Sequence, residues 1–383
     1  MECMLAAGVK RSISCHAGNA LEQLQDLIDA RSSWLFGHLG YDLKNEIEQL
    51  GSFHPGNIQF PDLFFFEPGV LIRLNEKEII IDADDPENIF EQISNVSDDF
   101  RSNEFDALIQ NRVSKQEYIS IVQKLREHIL RGDCYEINFC QEFFAENVDI
   151  DPITIYKKLS AISPNPFSAL YRSNDKWLIC ASPERFLKKE GNKILSQPIK
   201  GTSKRILDNE KEDSLSKKEL HNSSKDRSEN VMVVDLVRND LAKICKEGTV
   251  KVDELYGIYS FPQVHQMIST IVGEAKENIF FKEIIRATFP MGSMTGAPKK
   301  KVLELIEQYE KTRRGIFSGA VGYISPEHDF DFNVVIRSIL YNSSSKYLSF
   351  PAGSAITFYS SPEKEWEECL LKAEAMKKVL TGN

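Results

Sequence analysis

Residues 167–202, FSALYRSNDKWLICASPERFLKKEGNKILSQPIKGT, place strand-like runs one after another with no helix between them. FSALYR (167–172) and KWLICAS (176–182) are apolar runs set apart by polar residues. KKEGNK (188–193) has the composition of a hairpin turn that returns the chain beside itself. Strands that follow so closely pair antiparallel, because a parallel partner needs a crossover of a dozen residues or more. Working outward, CYEINFCQEFF (134–144), GAVGYIS (319–325), FDFNVVIRSILY (330–341) and YLSFPAG (347–353) extend the same pattern. The first hundred residues add WLFGHLGYDL (34–43), PDLFFFEPGVLIRL (61–74) and KEIIIDADDP (77–86). The expected class is α+β, with antiparallel sheets carrying helices on their outer faces, not a doubly wound parallel sheet.

The helices are legible by period. After Ser114 the apolar residues Tyr118, Ile121, Val122, Leu125 and Ile129 recur at helical spacing, with Ser114 and Glu117 as a capping box and Gly132 as a stop. Further helices are expected over 228–244, 297–313 and 361–380, whereas 203–229 reads as a polar, charge-dense connection. The 383 residues read as one domain, with a shorter N-terminal portion over 1–113 and a core over 114–383.

Charge and composition exclude several classes. A formal net charge of −10 argues against a nucleic-acid partner, which calls for a basic face. No apolar run approaches the roughly 18 residues of a membrane span, and the first residues lack the pattern of a signal peptide. Seven cysteines without C-x-x-C spacing suit reduced thiols in a cytoplasm, without disulfides or a zinc site.

Four groups of residues can carry chemistry. In FPMGSMTGAPKKK (289–301), Gly292 and Gly296 permit a tight turn, Pro298 fits the first helical position, and Lys299 adds charge where free N–H groups favour an anion. The same stretch also reads as an ordinary loop-to-helix junction. Asp226 and Glu229 share a helix face, as do Glu365 and Glu368 with Lys372 one turn on. Two such pairs meeting would make an all-oxygen Mg²⁺ site, while either alone is a solvated face. Glu184 and Lys200 each follow a strand-like run; a desolvated lysine can act as a nucleophile and a nearby carboxylic acid can protonate a leaving hydroxyl. The other reading of Lys200 is a surface lysine in a turn. Arg337, in an apolar strand, calls for a carboxylate from the protein or from a ligand. His265 reads as structural.

SPERF, PIKGT, EN-x-M-x-VDL-x-RNDL, G-S-x-x-GAPK, GAVGY, IRS and a closing E-x-x-E-x-x-x-K occur in this order. Together they resemble the chorismate-utilising enzymes, the family of aminodeoxychorismate, anthranilate, isochorismate and salicylate synthases. The likeness is strong over about 115–380 and weaker before it. It implies an α/β/β/α fold of two large packed antiparallel sheets flanked by helices, with the site in a cleft near the sheet ends. It also implies Mg²⁺ on Glu229 and Glu368, with Glu365 and Asp226 close by. Chorismate would meet Gly201, Thr202, Gly292, Ser293, Gly296, Tyr323, Arg337, Gly353, Lys372 and Gln266.

Three positions sort the members. PIKGT is the form typical of aminodeoxychorismate synthases, whereas anthranilate synthases carry alanine at position 200. Isochorismate and salicylate synthases use a lysine in the strand matching CYEINFC, where Glu136 stands here. The histidine that anthranilate synthases use to eliminate pyruvate falls at Gln266, with His265 on the opposite face of a strand. Ala355 replaces the second of two glycines common in the family. The implied activity is amination of chorismate at C4, with Lys200 as nucleophile, neutral in a partly desolvated cleft, and Glu184 as acid. No Gly-x-Cys-x-Gly elbow is present in the sequence, so ammonia is expected from a separate glutamine amidotransferase subunit. The alternatives are an anthranilate synthase component, whose LLES-type motif is not found, and a non-catalytic chorismate-binding regulatory protein.

Overall fold

The computed structural model describes residues 3–96 and 107–381. Two large antiparallel sheets dominate it. The seven-stranded sheet runs in the order Gly296–Ala297, Glu136–Ala145, Tyr347–Ile356, Ser338–Asn342, Lys176–Ser182 and Phe167–Ser173, with Gln110–Asn111 also paired to Glu136–Ala145. The ten-stranded sheet begins with Ile199–Lys204, Val264–Glu274, Lys193–Gln197 and Arg185–Glu190. It continues through Phe330–Asn333, Ala320–Ile324, Leu35–Leu39, Leu63–Glu67 and Arg11–Cys15, and Lys251–Ser260 pairs with Val264–Glu274. A three-stranded sheet of Cys3–Ala7, Val70–Leu74 and Ile79–Asp82 completes the β structure of the described residues.

The layers follow from which face each strand buries. One core packs Phe139, Phe143, Ile179, Ile339 and Phe350 of the seven-stranded sheet against helices Lys115–Leu130, Pro152–Ile162, Lys299–Tyr309 and Pro362–Leu380. The other packs Leu35, Phe65, Phe186, Ile271 and Phe332 of the ten-stranded sheet against Ala20–Ala30, Ser224–Ile244 and Phe281–Thr288. Phe144, Leu178 and Leu340 of the seven-stranded sheet join this second core, so the sheets are packed on each other. The order is helices, sheet, sheet, helices, as expected.

Two stretches differ from the sequence reading. The charge-dense segment holds a helix, Glu210–Asn222, capped by the Asn209 side chain on Glu212 N. Only Leu220 of this helix is buried, so no apolar stripe announces it. The run 330–341 is not one strand: Phe330–Asn333 belongs to the ten-stranded sheet and Ser338–Asn342 to the seven-stranded sheet. The chain changes sheets in between, and Arg337 at φ 52° lies in that corner. Lys176–Ser182 and Arg185–Glu190 make the same change of sheet around Glu184. The two corners are tied by Val334 N donating to Glu184 O at 3.0 Å and Ala181 N to Arg337 O at 3.1 Å. Glu184 and Arg337, 153 residues apart by number, thus share one junction between the sheets.

Candidate active site

Lys200 is aimed by a bulge. Ile199 pairs with Ile268 and Thr202 with Gln266, leaving Lys200 and Gly201 together opposite Met267. An extra residue in one strand bends it and redirects its side chains, and Gly201 at φ +92° supplies the left-handed backbone this requires. Lys200 Nζ donates to Glu136 Oε1 at 2.7 Å, a link from the ten-stranded sheet to the first residue of the strand Glu136–Ala145. Both side chains are buried. Gly296 brings its own strand onto Glu136: a Cβ there would lie 2.0 Å from Glu136 O.

The pairing corrects one expectation. Burial disfavours the Lys200 charge, but the carboxylates of Glu136, Glu229 and Glu184 outweigh it and raise its pKa above the ordinary lysine value. Lys200 is therefore an ammonium here, not the neutral amine expected of a desolvated cleft.

Glu184 behaves in the opposite sense. Burial drives its carboxyl up to about 7, against the pull of the Ser293 hydroxyl and the Lys200 and Lys372 ammonium groups. At neutral pH it holds a proton part of the time, as a general acid must. It lines a narrow cleft with Pro198, Met291, Gly292 and Ser293, which brings the Gly-Ser turn beside the acid. Burial lowers the Arg337 pKa, and no protein carboxylate offsets this among the described residues.

The two acidic pairs converge. Lys225 Nζ lies 3.7 Å from Glu229 Oε1, 3.6 Å from Glu365 Oε1 and 3.8 Å from Glu368 Oε2. Glu229 Oε1 and Glu365 Oε2 are buried without a hydrogen-bond partner. Burial pushes Glu229 up to about 7, while Lys372, 2.7 Å from Glu368 Oε1, helps hold Glu368 below the usual range in spite of its burial. Asp226 is in the first turn of the helix Ser224–Ile244, and its side chain is what a Cβ at Gly201 would meet at 3.0 Å. Among the described residues no three or more of these carboxylates are arranged closely enough to hold a metal ion by themselves. Orphaned carboxylate oxygens around a loosely held ammonium nonetheless fit a cation of the Mg²⁺ type, which takes few carboxylates and keeps other oxygens.

The remaining residues divide. Gln266 is buried with its Oε1 unpartnered, in register with Thr202. His265, one residue earlier, is held by Ser260 Oγ at 2.8 Å and Asp213 Oδ1 at 3.2 Å, a structural setting. Lys372 donates to Gly353 O at 3.1 Å. Gly353 lies where a side chain would meet Phe139 O at 2.0 Å, and Ala355 pairs with Asn138 in the same ladder. Three expectations fail on placement. Tyr323 rests on Trp34 and Phe36, and its strand is five strands from Ile199–Lys204, roughly 24 Å at ordinary spacing. Lys299 is engaged by Asp240 Oδ2 at 2.7 Å and so is not free for an anion, and Pro298 caps its helix from outside the first position.

Sequence reasoning missed three residues here. Glu136 was noted as a departure from lysine but not as the partner of Lys200. Lys225 stands one residue before Asp226, the first of the spaced acids, and carries no signal of its own. Arg314 is buried, bonded to both Glu310 oxygens, Met294 O and Asn138 O, and braces the Gly-Ser turn against the strand that bears Glu136.

The chorismate binding enzyme family matches residues 6–378. The chain is 40% identical over 270 residues to a probable chloroplastic aminodeoxychorismate synthase of Oryza sativa subsp. japonica, covering 70% of this chain and 30% of that protein. It is 36% identical over 259 residues to aminodeoxychorismate synthase component 1 of Bacillus subtilis, covering 68% and 54%. It therefore spans about half or less of the length of these relatives. Anthranilate synthase component 1 of Saccharolobus solfataricus is 32% identical over 361 residues, covering 94% of this chain and 83% of its own. Anthranilate synthase component I from Streptococcus pneumoniae TIGR4 superposes with a TM-score of 0.87 at 23% identity, over 98% of this chain and 92% of that one, a likeness of fold.

Proposed function

The chain belongs to the chorismate binding enzyme family, and we propose that within it the protein aminates chorismate to 4-amino-4-deoxychorismate, as an aminodeoxychorismate synthase component. The observation that carries this reading is the buried Lys200, turned by its bulge toward the other sheet, with a near-neutral Glu184 lining the adjoining cleft. A lysine built into that position suits covalent chemistry. A role in charge balance alone does not require a bulge to aim it.

In the proposed reaction Lys200 Nζ adds to C2 of chorismate while the C4 hydroxyl departs as water with the Glu184 proton. Ammonia then bonds to C4 and the lysine leaves, so two allylic shifts put the amine where the hydroxyl was. Arg337 would receive a substrate carboxylate, and Gly292, Ser293, Thr202, Gln266 and Lys372 would contact the remaining polar groups. Glu229, Glu365 and Glu368, with Asp226 beside them, would hold Mg²⁺, which supplies charge neutralisation for the dianionic substrate. Ammonia would come from a separate glutamine amidotransferase subunit, a role in keeping with relatives named as component 1.

Anthranilate synthesis is the second reading, favoured by the more complete coverage of the archaeal relative. Against it stand Lys200 itself and the placement of His265, whose ring is engaged by Ser260 and Asp213. The test is Lys200→Ala assayed with chorismate, Mg²⁺ and ammonium. The expected outcome is a fall of orders of magnitude in aminodeoxychorismate formation; near-parental turnover would defeat the covalent route.

A further inference from the structure

We propose that Glu136 is the catalytic base that takes a proton from Lys200 and returns it when the adduct breaks down. This rests on the lysine-adduct reading above and assigns a step which that reading leaves without an agent. The reason is geometric. A nucleophilic lysine must first lose a proton, and the acceptor must lie within hydrogen-bond reach. Among the described residues Glu136 meets this condition, with Oε1 at 2.7 Å from Lys200 Nζ. Glu184 faces the same ammonium but is needed in its protonated form, and Glu229 belongs to the carboxylate cluster around Lys225. Glu136 Oε2 is buried and unpartnered, so the carboxylate is not committed to another donor.

The proton count closes. Glu136 accepts one proton from the Lys200 ammonium, and the freed electron pair on Nζ forms the bond to C2. The C4–O bond breaks, and the hydroxyl leaves as water with the Glu184 proton. Nζ is then a secondary ammonium and Glu184 a carboxylate. Ammonia bonds to C4, the double bond shifts back, and the C2–N bond breaks with its electron pair on Nζ. The new C4 ammonium gives one proton to Glu184, and Glu136 returns its proton to Lys200. Chorismate and ammonia have become the amine and water, and all three side chains are restored.

The experiment compares Glu136→Gln, Glu136→Ala and Lys200→Ala in the full chain, with chorismate, Mg²⁺ and a fixed concentration of free ammonia across pH. Thermal melting confirms folding of each variant. Glu136→Gln keeps the shape and a hydrogen bond but not the base. Its rate should fall by about 10²–10⁴-fold relative to the parent at neutral pH, and the deficit relative to the parent at the same pH should narrow at alkaline pH, with little change in KM for chorismate. Glu136→Ala should regain activity with added formate, a response that a purely structural residue would not give. An inactive Lys200→Ala beside a Glu136→Gln of parental rate and pH profile would overturn the role of Glu136 alone. An active Lys200→Ala would overturn the adduct reading and this inference with it.

Discussion

Lys200 Nζ and Glu136 Oε1 lie 2.7 Å apart and join the two sheets at the point where their strands approach each other. The pair holds Lys200 charged, whereas the adjoining Glu184 is held near neutrality by its burial. Lys200 and Glu184 thus act on each other's charge while their own settings run in opposite directions, one held as an ammonium and the other near neutrality.

The Glu184 shift sets a pH dependence. Its carboxyl, raised to about 7, donates a proton below that value and loses it above. At constant free ammonia, kcat should therefore decline as pH rises past about 7, and Glu184→Gln should remove most of the activity. The same shift has a consequence for folding. A carboxyl raised on folding contributes most below its unfolded value and loses that contribution as pH rises through about 7. Tm of the substrate-free chain should fall across this interval, and less so in Glu184→Gln.

Gly201→Ala tests the bulge. Its φ of +92° is costly for any residue with a Cβ, and that Cβ would press on Asp226 at 3.0 Å. A loss of about 1–2 kcal/mol is expected by chemical denaturation. The rate should drop by about 10²-fold, because Lys200 would be misdirected while still present. An alanine variant with the parental rate would show that the bulge does not aim the lysine.

Lys225→Met tests the carboxylate cluster. The ammonium lies within 3.8 Å of Glu229, Glu365 and Glu368, and under the proposed Mg²⁺ assignment it would compete with the cation for them. A magnesium titration of activity should show half-activation at several-fold lower Mg²⁺ in the variant. An unchanged or weaker requirement would contradict the assignment of these carboxylates to the metal.

Much of the fold was legible because local chemistry and tertiary structure agree. Ser114 caps its helix on Glu117 N, the serine half of the expected capping box, and Gly191 at φ 57° turns the expected hairpin. The helix Glu210–Asn222 escaped because it buries little, so periodicity had nothing to report. The run through Arg337 escaped for a different reason. Apolar residues continue across a change of sheet, and only the backbone at Arg337 betrays the corner. At the site, spacing put Asp226 and Glu229 on one helix face and Glu365 and Glu368 on another, but only the family resemblance implied that the two faces meet, as they do around Lys225. Spacing could not show that Lys200 meets Glu136, 64 positions away, nor that Tyr323 turns to Trp34 and Phe36. Such contacts depend on how the sheets are stacked.

The central claim is that this fold aminates C4 of chorismate. Purified protein incubated with chorismate, Mg²⁺ and ammonium at mildly alkaline pH, followed by chromatography with and without an added aminodeoxychorismate lyase, tests it directly. The account predicts 4-aminobenzoate only when the lyase is present. Anthranilate formed without the lyase would contradict it.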